Sequence, residues 1–379
     1  MDPGTSDDAY QREILPQVSR TFALTIPQLP PALRTAVTGA YLLCRIADTI
    51  EDEPAIPPAE TLGFLERFQD VVAGRAEAGA LARDLDRQLS ASTLPAERDL
   101  VSHMEAVVQS TARCSGPQRA AIVRCVELMC YGMPRFQSNA SLRGLASASD
   151  LDDYCYYVAG VVGEMLTELF CEHSPAIAQR RAAMQNLAVS FAQGLQMTNI
   201  LKDVWEDRSR GACWLPQEVF MRHGVDLSRL APEPHDDGFG KGLRELLAVA
   251  HAHLRNALDY TLLIPRSETG IRRFCLWAVG LAVLTLRNID ANPRFTAGAQ
   301  VKVSHAAVAM TRSLTDIGIR SDWILRRLFA VAARGLPLAQ LPVQLPAAAR
   351  RPAPTAAGSA SSAGAAEDAE RRRYGSRGA

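Results

Sequence analysis

Apolar residues recur at three- and four-residue spacing through nearly the whole chain, and strict alternation of apolar and polar positions is almost absent. That period is the mark of helices buried along one face, so the fold class expected is all-α. Proline and glycine set the boundaries. One helix is expected over 9–20, and another over 33–52, between Pro27, Pro30 and Pro31 on one side and Pro54, Pro57 and Pro58 on the other. Segments 60–90 and 96–112 read as surface-facing helices. Gly116 and Pro117 suit the start of a helix running to Met133. Asp150 is expected to cap a helix reaching Ser174, with Asp152 and Asp153 in the first turn, where the helix dipole favours negative charge. Pro175 then opens a proline-free helix to Gly211. The glycine-rich 238–242, GFGKG, lacks a preceding strand and the spacing of a phosphate-binding fingerprint, so it reads as a loop entering a helix over 243–260. Helices over 268–291 and 322–334 close the series, with QVKVS (300–304) extended between them.

Composition sharpens this outline. With 379 residues, 47% of them hydrophobic, the chain can bury one large core. A single helical domain over 1–340 is expected, followed by an Ala/Pro/Arg-rich tail, 341–379, too poor in large apolar residues to order itself. The formal net charge of zero leaves no electrostatic footprint for nucleic acid. The longest uncharged apolar run, 274–286 between Arg273 and Arg287, is shorter than the roughly 20 residues that a membrane-spanning helix needs, so a buried core helix is expected there. Eight cysteines sit mostly in apolar segments without any C-x-x-C pair, behind a polar, acidic start unlike a signal peptide. The expectation is reduced thiols in a cytoplasmic protein.

The candidate chemistry lies on two of these helices. Tyr41, Arg45, Asp48 and Asp52 fall on one stripe of the first, and Gln196, Asn199, Asp203 and Asp207 on one stripe of the second. Carboxylates on largely apolar helices cost several kcal/mol each unless they are paired or bound to a cation. Four of them with an amide suit a hard divalent ion, and Mg²⁺ prefers to bridge carboxylates to a phosphate. Arg20, Arg45, Lys202, Arg208 and Arg210 interleave with the acids, which points to a diphosphate. A di-iron bundle would require Glu-x-x-His pairs, which do not occur, and the seven histidines lack zinc-ligand spacing. A third segment, 154–170, is apolar on nearly all sides. Its Ala159, Gly160 and Gly163 either bring helices close or open a channel, with Tyr154 as the polar exception.

Four motifs, SRTFA (19–23), YLLCRIADTIEDE (41–53), YCYYVAGVVGE (154–164) and QMTNILKDVWEDRSRGACWLPQEVF (196–220), together resemble the squalene/phytoene synthases, from about Ser19 to about Leu328. The resemblance implies an all-α prenyl synthase fold in which both acidic helices line a central cavity. It implies Mg²⁺ at Asp48, Asp52, Asn199, Asp203 and Asp207, with farnesyl diphosphate held by Ser19, Arg20, Phe22, Tyr41, Arg45 and Gln196. Val158 and Gly163 would line the substrate space, and Tyr154 would serve the first half-reaction. Two farnesyl diphosphates would give presqualene diphosphate, which NADPH, held by Arg45 and Lys302, would reduce to squalene. The apolar FCLWAVGLAVLTLRN (274–288) resembles the cavity helix of the squalene-forming members. QVKVSHAAV (300–308) resembles their NADPH segment, but carries only Lys302 and His305 where eukaryotic relatives are richer in Lys and Arg. Lys202 also stands where many members have arginine. Other activities within the resemblance are presqualene diphosphate, dehydrosqualene or phytoene synthesis, and a protein of another class would be a non-catalytic assembly factor of the same fold. A monomer is expected, without nucleic acid; peripheral contact with a membrane would suit so apolar a product.

Overall fold

A computed structural model describes residues 3–19, 21–137, 140–233 and 237–341, and these form eighteen α-helices with no strand among them. The N-terminal half comprises α1 (Pro3–Val18), α2 (Thr21–Thr25), α3 (Pro31–Asp52), α4 (Pro58–Val72), α5 (Ala78–Gln88), α6 (Pro95–Ser102), α7 (Met104–Ala112), α8 (Gly116–Gln137) and α9 (Ala148–Cys155). A π turn, Tyr156–Gly160, joins α9 to α10 (Val161–His173). There follow α11 (Pro175–Ala178), α12 (Arg181–Lys202), α13 (Val204–Ser209), α14 (Gln217–Met221), α15 (Asp237–Leu263), α16 (Thr269–Ala291), α17 (His305–Gly318) and α18 (Asp322–Ala332). The fold class is therefore all-α, as the periodicity indicated. The tail expected over 341–379 lies, from residue 342 on, outside the described residues.

Boundaries depart from expectation where a local signal outweighs the punctuation. Asp150 is not the cap of α9. Ser147 is, accepting from the Asp150 backbone N–H at 3.2 Å while the Asp150 carboxylate accepts from the Ser147 N–H at 2.9 Å. This reciprocal box satisfies two backbone donors at once, which a cap at Asp150 would not. The segment 238–242 is not a loop but the opening of α15, because Phe239 gains burial against Trp205 and Phe220. Helix α17 was missed: QVKVS reads as extended, yet its last residue, Ser304, accepts from the Ala307 N–H and starts a new helix.

The core is built by α3, α8, α10, α12, α15 and α16. Helix α16 is long and apolar enough to cross a bilayer by length and composition, more so than the run 274–286 suggested, but most of it is buried among its neighbours here. Gly163, expected to line substrate space, serves the other purpose of a small residue. A Cβ built there would lie 2.2 Å from the Ala188 carbonyl oxygen of α12, so hydrogen alone fits the crossing of α10 and α12. Gly163→Ala is accordingly expected to destabilise the protein by about 1–3 kcal/mol through overpacking, read as a lower urea midpoint. An unchanged midpoint would mean the crossing is looser than described.

Candidate active site

The first acidic stripe runs along the C-terminal half of α3. Tyr41 donates its hydroxyl to the Val18 carbonyl at 3.0 Å, which fixes the end of α1 against α3. Ser19 follows, its hydroxyl oxygen accepting from the Phe22 N–H at 3.0 Å, and Phe22 turns its ring toward Tyr41 and Phe274, 5.2 and 6.4 Å away between centroids. These three residues thus meet at one edge of the stripe. Arg20 lies outside the described residues.

One turn further on, Arg45 is held between Asp48, at 3.6 Å, and Glu97 of α6. Burial works against its charge, but the two carboxylates outweigh it and raise its pKa, so Arg45 stays a cation. Asp48 shows the converse. Burial pushes its carboxyl up to about 7 against the pull of Arg45, with Asp52 and Glu97 adding to the push. Burial also lifts Glu51, assisted by Asp52 and Asp48. Asp52 is open to solvent, yet protein on the surrounding sides makes desolvation the leading cause of its upward shift, opposed by Arg210 and Arg45.

The second stripe is interrupted. A straight helix to Gly211 was expected; instead the backbone breaks at Asp203, which joins α12 to α13. Gln196 is half-buried and Asn199 exposed on the last turns of α12. Asp203 pairs with Lys202 at 3.0 Å, and Asp207 with Arg210 at 2.7 Å. Burial raises Asp207 as well, opposed by Arg210 and reinforced by Asp203 and Asp52. The Asp52 charge reaches Asp207 and that of Arg210 reaches Asp52, so the end of α3 lies near α13. Arg208 does not join them: it donates to the carbonyls of Leu142 and Leu230, at 3.2 and 2.6 Å, and clamps the chain after α13.

Tyr154 lies near these acids. It is buried, its ring stacked on Trp214 at 4.3 Å and met edge-on by Phe136 at 5.5 Å. Burial lifts its pKa well above that of a free phenol, and the nearby charges of Glu51, Asp52 and Asp207 add to this. A tyrosine with its hydroxyl simply in water would feel none of it. The π turn at Tyr156–Gly160 directly follows and leaves Val158 partly exposed. Wide turns of this kind rotate one half of a helix relative to the other and occur often at functional sites.

Lys302 is exposed at the end of a short turn, Gly298–Val301, fastened from two sides. Asn288 donates to the Val301 and Lys302 carbonyls at 3.1 and 3.3 Å, and the Gly298 N–H donates to Glu206 at 2.8 Å. A side chain at Gly298 would press on the Lys202 carbonyl and on Asp203, within 2.9 and 3.1 Å. This turn therefore lies directly against the break in the second stripe.

A cavity of about 430 Å³ opens elsewhere, beside Trp205, Phe239, Lys241 and Phe295. Its acids, Asp290 and Asp237, are paired with Arg244 and Arg294, and neither acidic stripe lines it.

Comparison with known proteins places the chain. The squalene/phytoene synthase family profile matches residues 15–307. The chain belongs to the squalene/phytoene synthase family. A squalene synthase of Gibberella zeae is 27% identical over 299 residues, covering 77% of this chain and 61% of its own, and squalene synthase 1 of Arabidopsis thaliana is 29% identical over 283 residues, covering 73% and 64%. The chain thus spans about three fifths of the length of such relatives. The solved structure of TcSQS with a bound ligand superposes with a TM-score of 0.69 at 24% identity, covering 87% of this chain and 98% of that one. That likeness establishes the isoprenoid synthase architecture for this family member.

Glu97, Glu206 and Trp214 were given no role by the sequence. Glu97 meets Arg45 across 52 residues and Glu206 meets Gly298 across 92, separations at which no local spacing rule applies. Trp214 stands within the WLPQEVF motif, and that was the available signal.

Proposed function

We propose that this protein joins two molecules of farnesyl diphosphate head to head into presqualene diphosphate and reduces that intermediate to squalene with NADPH. One observation supports this above the others: acids from two separate helices lie near a buried tyrosine, beside aromatic walls. The donor set suits Mg²⁺. Burial raises Asp48, Asp52 and Asp207, so keeping all of them ionised calls for added positive charge. Mg²⁺ keeps several waters and completes its shell from a phosphate, so it would draw on only some of these groups at once. Asp48, Asp52, Asn199, Asp203 and Asp207 would hold it. When bound, it neutralises the diphosphate charge and so eases departure of the leaving group.

The protein's own groups then carry the reaction. Ser19, Tyr41, Arg45 and Gln196 orient the diphosphates. Loss of one diphosphate leaves an allylic cation, which the double bond of the second substrate attacks, and loss of a proton closes the cyclopropane. Tyr154, buried near the acids, would steady that cation and take up the proton. The aromatic walls at Phe22, Phe136 and Phe274 keep out water, which would trap the cation as an alcohol. Lys302, with Arg45, would hold the phosphate groups of NADPH, which when bound would supply the hydride that quenches the rearranged cation left by departure of the second diphosphate.

Product analysis tests the proposal: purified protein with farnesyl diphosphate and Mg²⁺, with and without NADPH, followed by mass spectrometry. Squalene formed only with NADPH is the expected result. Presqualene diphosphate or dehydrosqualene in both reactions would move the assignment to a non-reducing member of the family. Phytoene from geranylgeranyl diphosphate, with nothing from farnesyl diphosphate, would overturn the chain length.

A further inference from the structure

The C-terminal helix pair presents large apolar side chains to water that no part of the reaction uses. On α17, Met310, Leu314 and Ile317 are exposed at i, i+4 and i+7, which is one face of the helix. On α18, Trp323 and Val331 are exposed two turns apart. Ile317 and Trp323 retain 75% and 69% of their accessible surface, and contiguous exposed apolar groups of this kind mark interaction surfaces. The two helices pack on one another, so these side chains belong to one region.

Charge distribution says what could cover it. The chain is neutral as a whole, yet Arg312, Arg320, Arg326, Arg327 and Arg334 fall between residues 303 and 341, against only Asp316 and Asp322; Arg326 pairs with Asp259 at 2.7 Å and Arg312 lies over the Trp277 ring, so Arg320, Arg327 and Arg334 make up the rim. Both acids are engaged toward the body of the protein, Asp316 with Arg273 at 2.6 Å and Asp322 with Arg266 and Arg272. Arg327 lies over the Trp323 ring, 5.9 Å from its centroid, which sets a cation beside the most prominent aromatic. Apolar side chains and tryptophan on one side of a helix with arginines around them are what an anionic lipid surface binds. A second copy of the chain would set one arginine-rich rim against another. The stretch beyond Leu341 is itself richer in arginine than in acids, and so is a poor complement to that rim.

We propose that α17 and α18 form a docking face for the surface of an anionic membrane, with Ile317 and Trp323 entering the interface and the arginines meeting the lipid headgroups. Neither residue belongs to the proposed catalytic machinery, so docking and turnover can be measured apart. The full-length protein is mixed with sedimentable vesicles of phosphatidylcholine, with and without phosphatidylglycerol, and compared with the double variant Ile317→Ser/Trp323→Ser. Expected is sedimentation with the phosphatidylglycerol vesicles, weakened about tenfold or more in the variant, with turnover of dissolved substrate and the melting temperature unchanged. No sedimentation of the unmodified protein would overturn the proposal. Equal sedimentation of both proteins would also overturn it, by moving lipid contact to another part of the chain. A dimer in light scattering that the variant loses, without vesicle binding, would replace the lipid by a second copy.

Discussion

Replacing Asp48 by asparagine is expected to lower turnover roughly a thousandfold or more, the scale of losing a preorganised electrostatic contact to the transition state, while the helical circular dichroism stays intact. The same substitution has an opposite consequence for stability. A carboxyl whose ordinary pKa of 3.8 is raised by burial to about 7 folds more readily in its protonated form. The stability it contributes is complete below 3.8 and is lost as pH rises through about 7. Asparagine cannot ionise, so in chelator-treated protein the variant's melting temperature should gain on the unmodified protein as pH rises from about 4 to about 7, and level off above that. Near-normal turnover would remove the metal-side role of Asp48. A stability difference independent of pH would show that Arg45 already offsets the charge in the folded state.

Tyr154→Phe should slow formation of the cyclopropyl intermediate about a hundredfold, within the range of positioned acid–base groups. Conversion of supplied presqualene diphosphate to squalene should suffer much less. Phenylalanine keeps the stack on Trp214, so stability should hardly change, and a kinetic effect would report the hydroxyl alone. An unchanged first step would leave Tyr154 as a packing residue beneath Trp214.

The sequence disclosed those features whose signal is local. Period and proline gave the all-α class, and i, i+4 spacing put Asp48 with Asp52 and Asp203 with Asp207. Breaks in that local order stayed hidden. Nothing in a proline-free run announces that the backbone turns at Asp203, and YYVAG does not show from composition that it winds as a π turn. Gly163 could equally have opened space or closed it, and only the position of the Ala188 carbonyl decides. Arg208 looked like a partner for diphosphate because it follows Asp207, yet the carbonyls of Leu142 and Leu230 claim it. Glu97 was invisible because its partner lies on a helix far away in the chain.

The hydrogen bond from the Gly298 N–H to Glu206 ties the turn before Lys302 to α13, the helix that follows the break at Asp203. Any ligand that shifts the one must work against, or with, the other. Thermodynamic reciprocity then applies: if a diphosphate at the acidic stripes changes the affinity for a dinucleotide at Lys302, the dinucleotide changes the affinity for diphosphate by the same factor. A Glu206→Ala protein, which has no side-chain acceptor for the Gly298 N–H, should show a smaller factor in both directions, measured as the affinity for each ligand with and without the other.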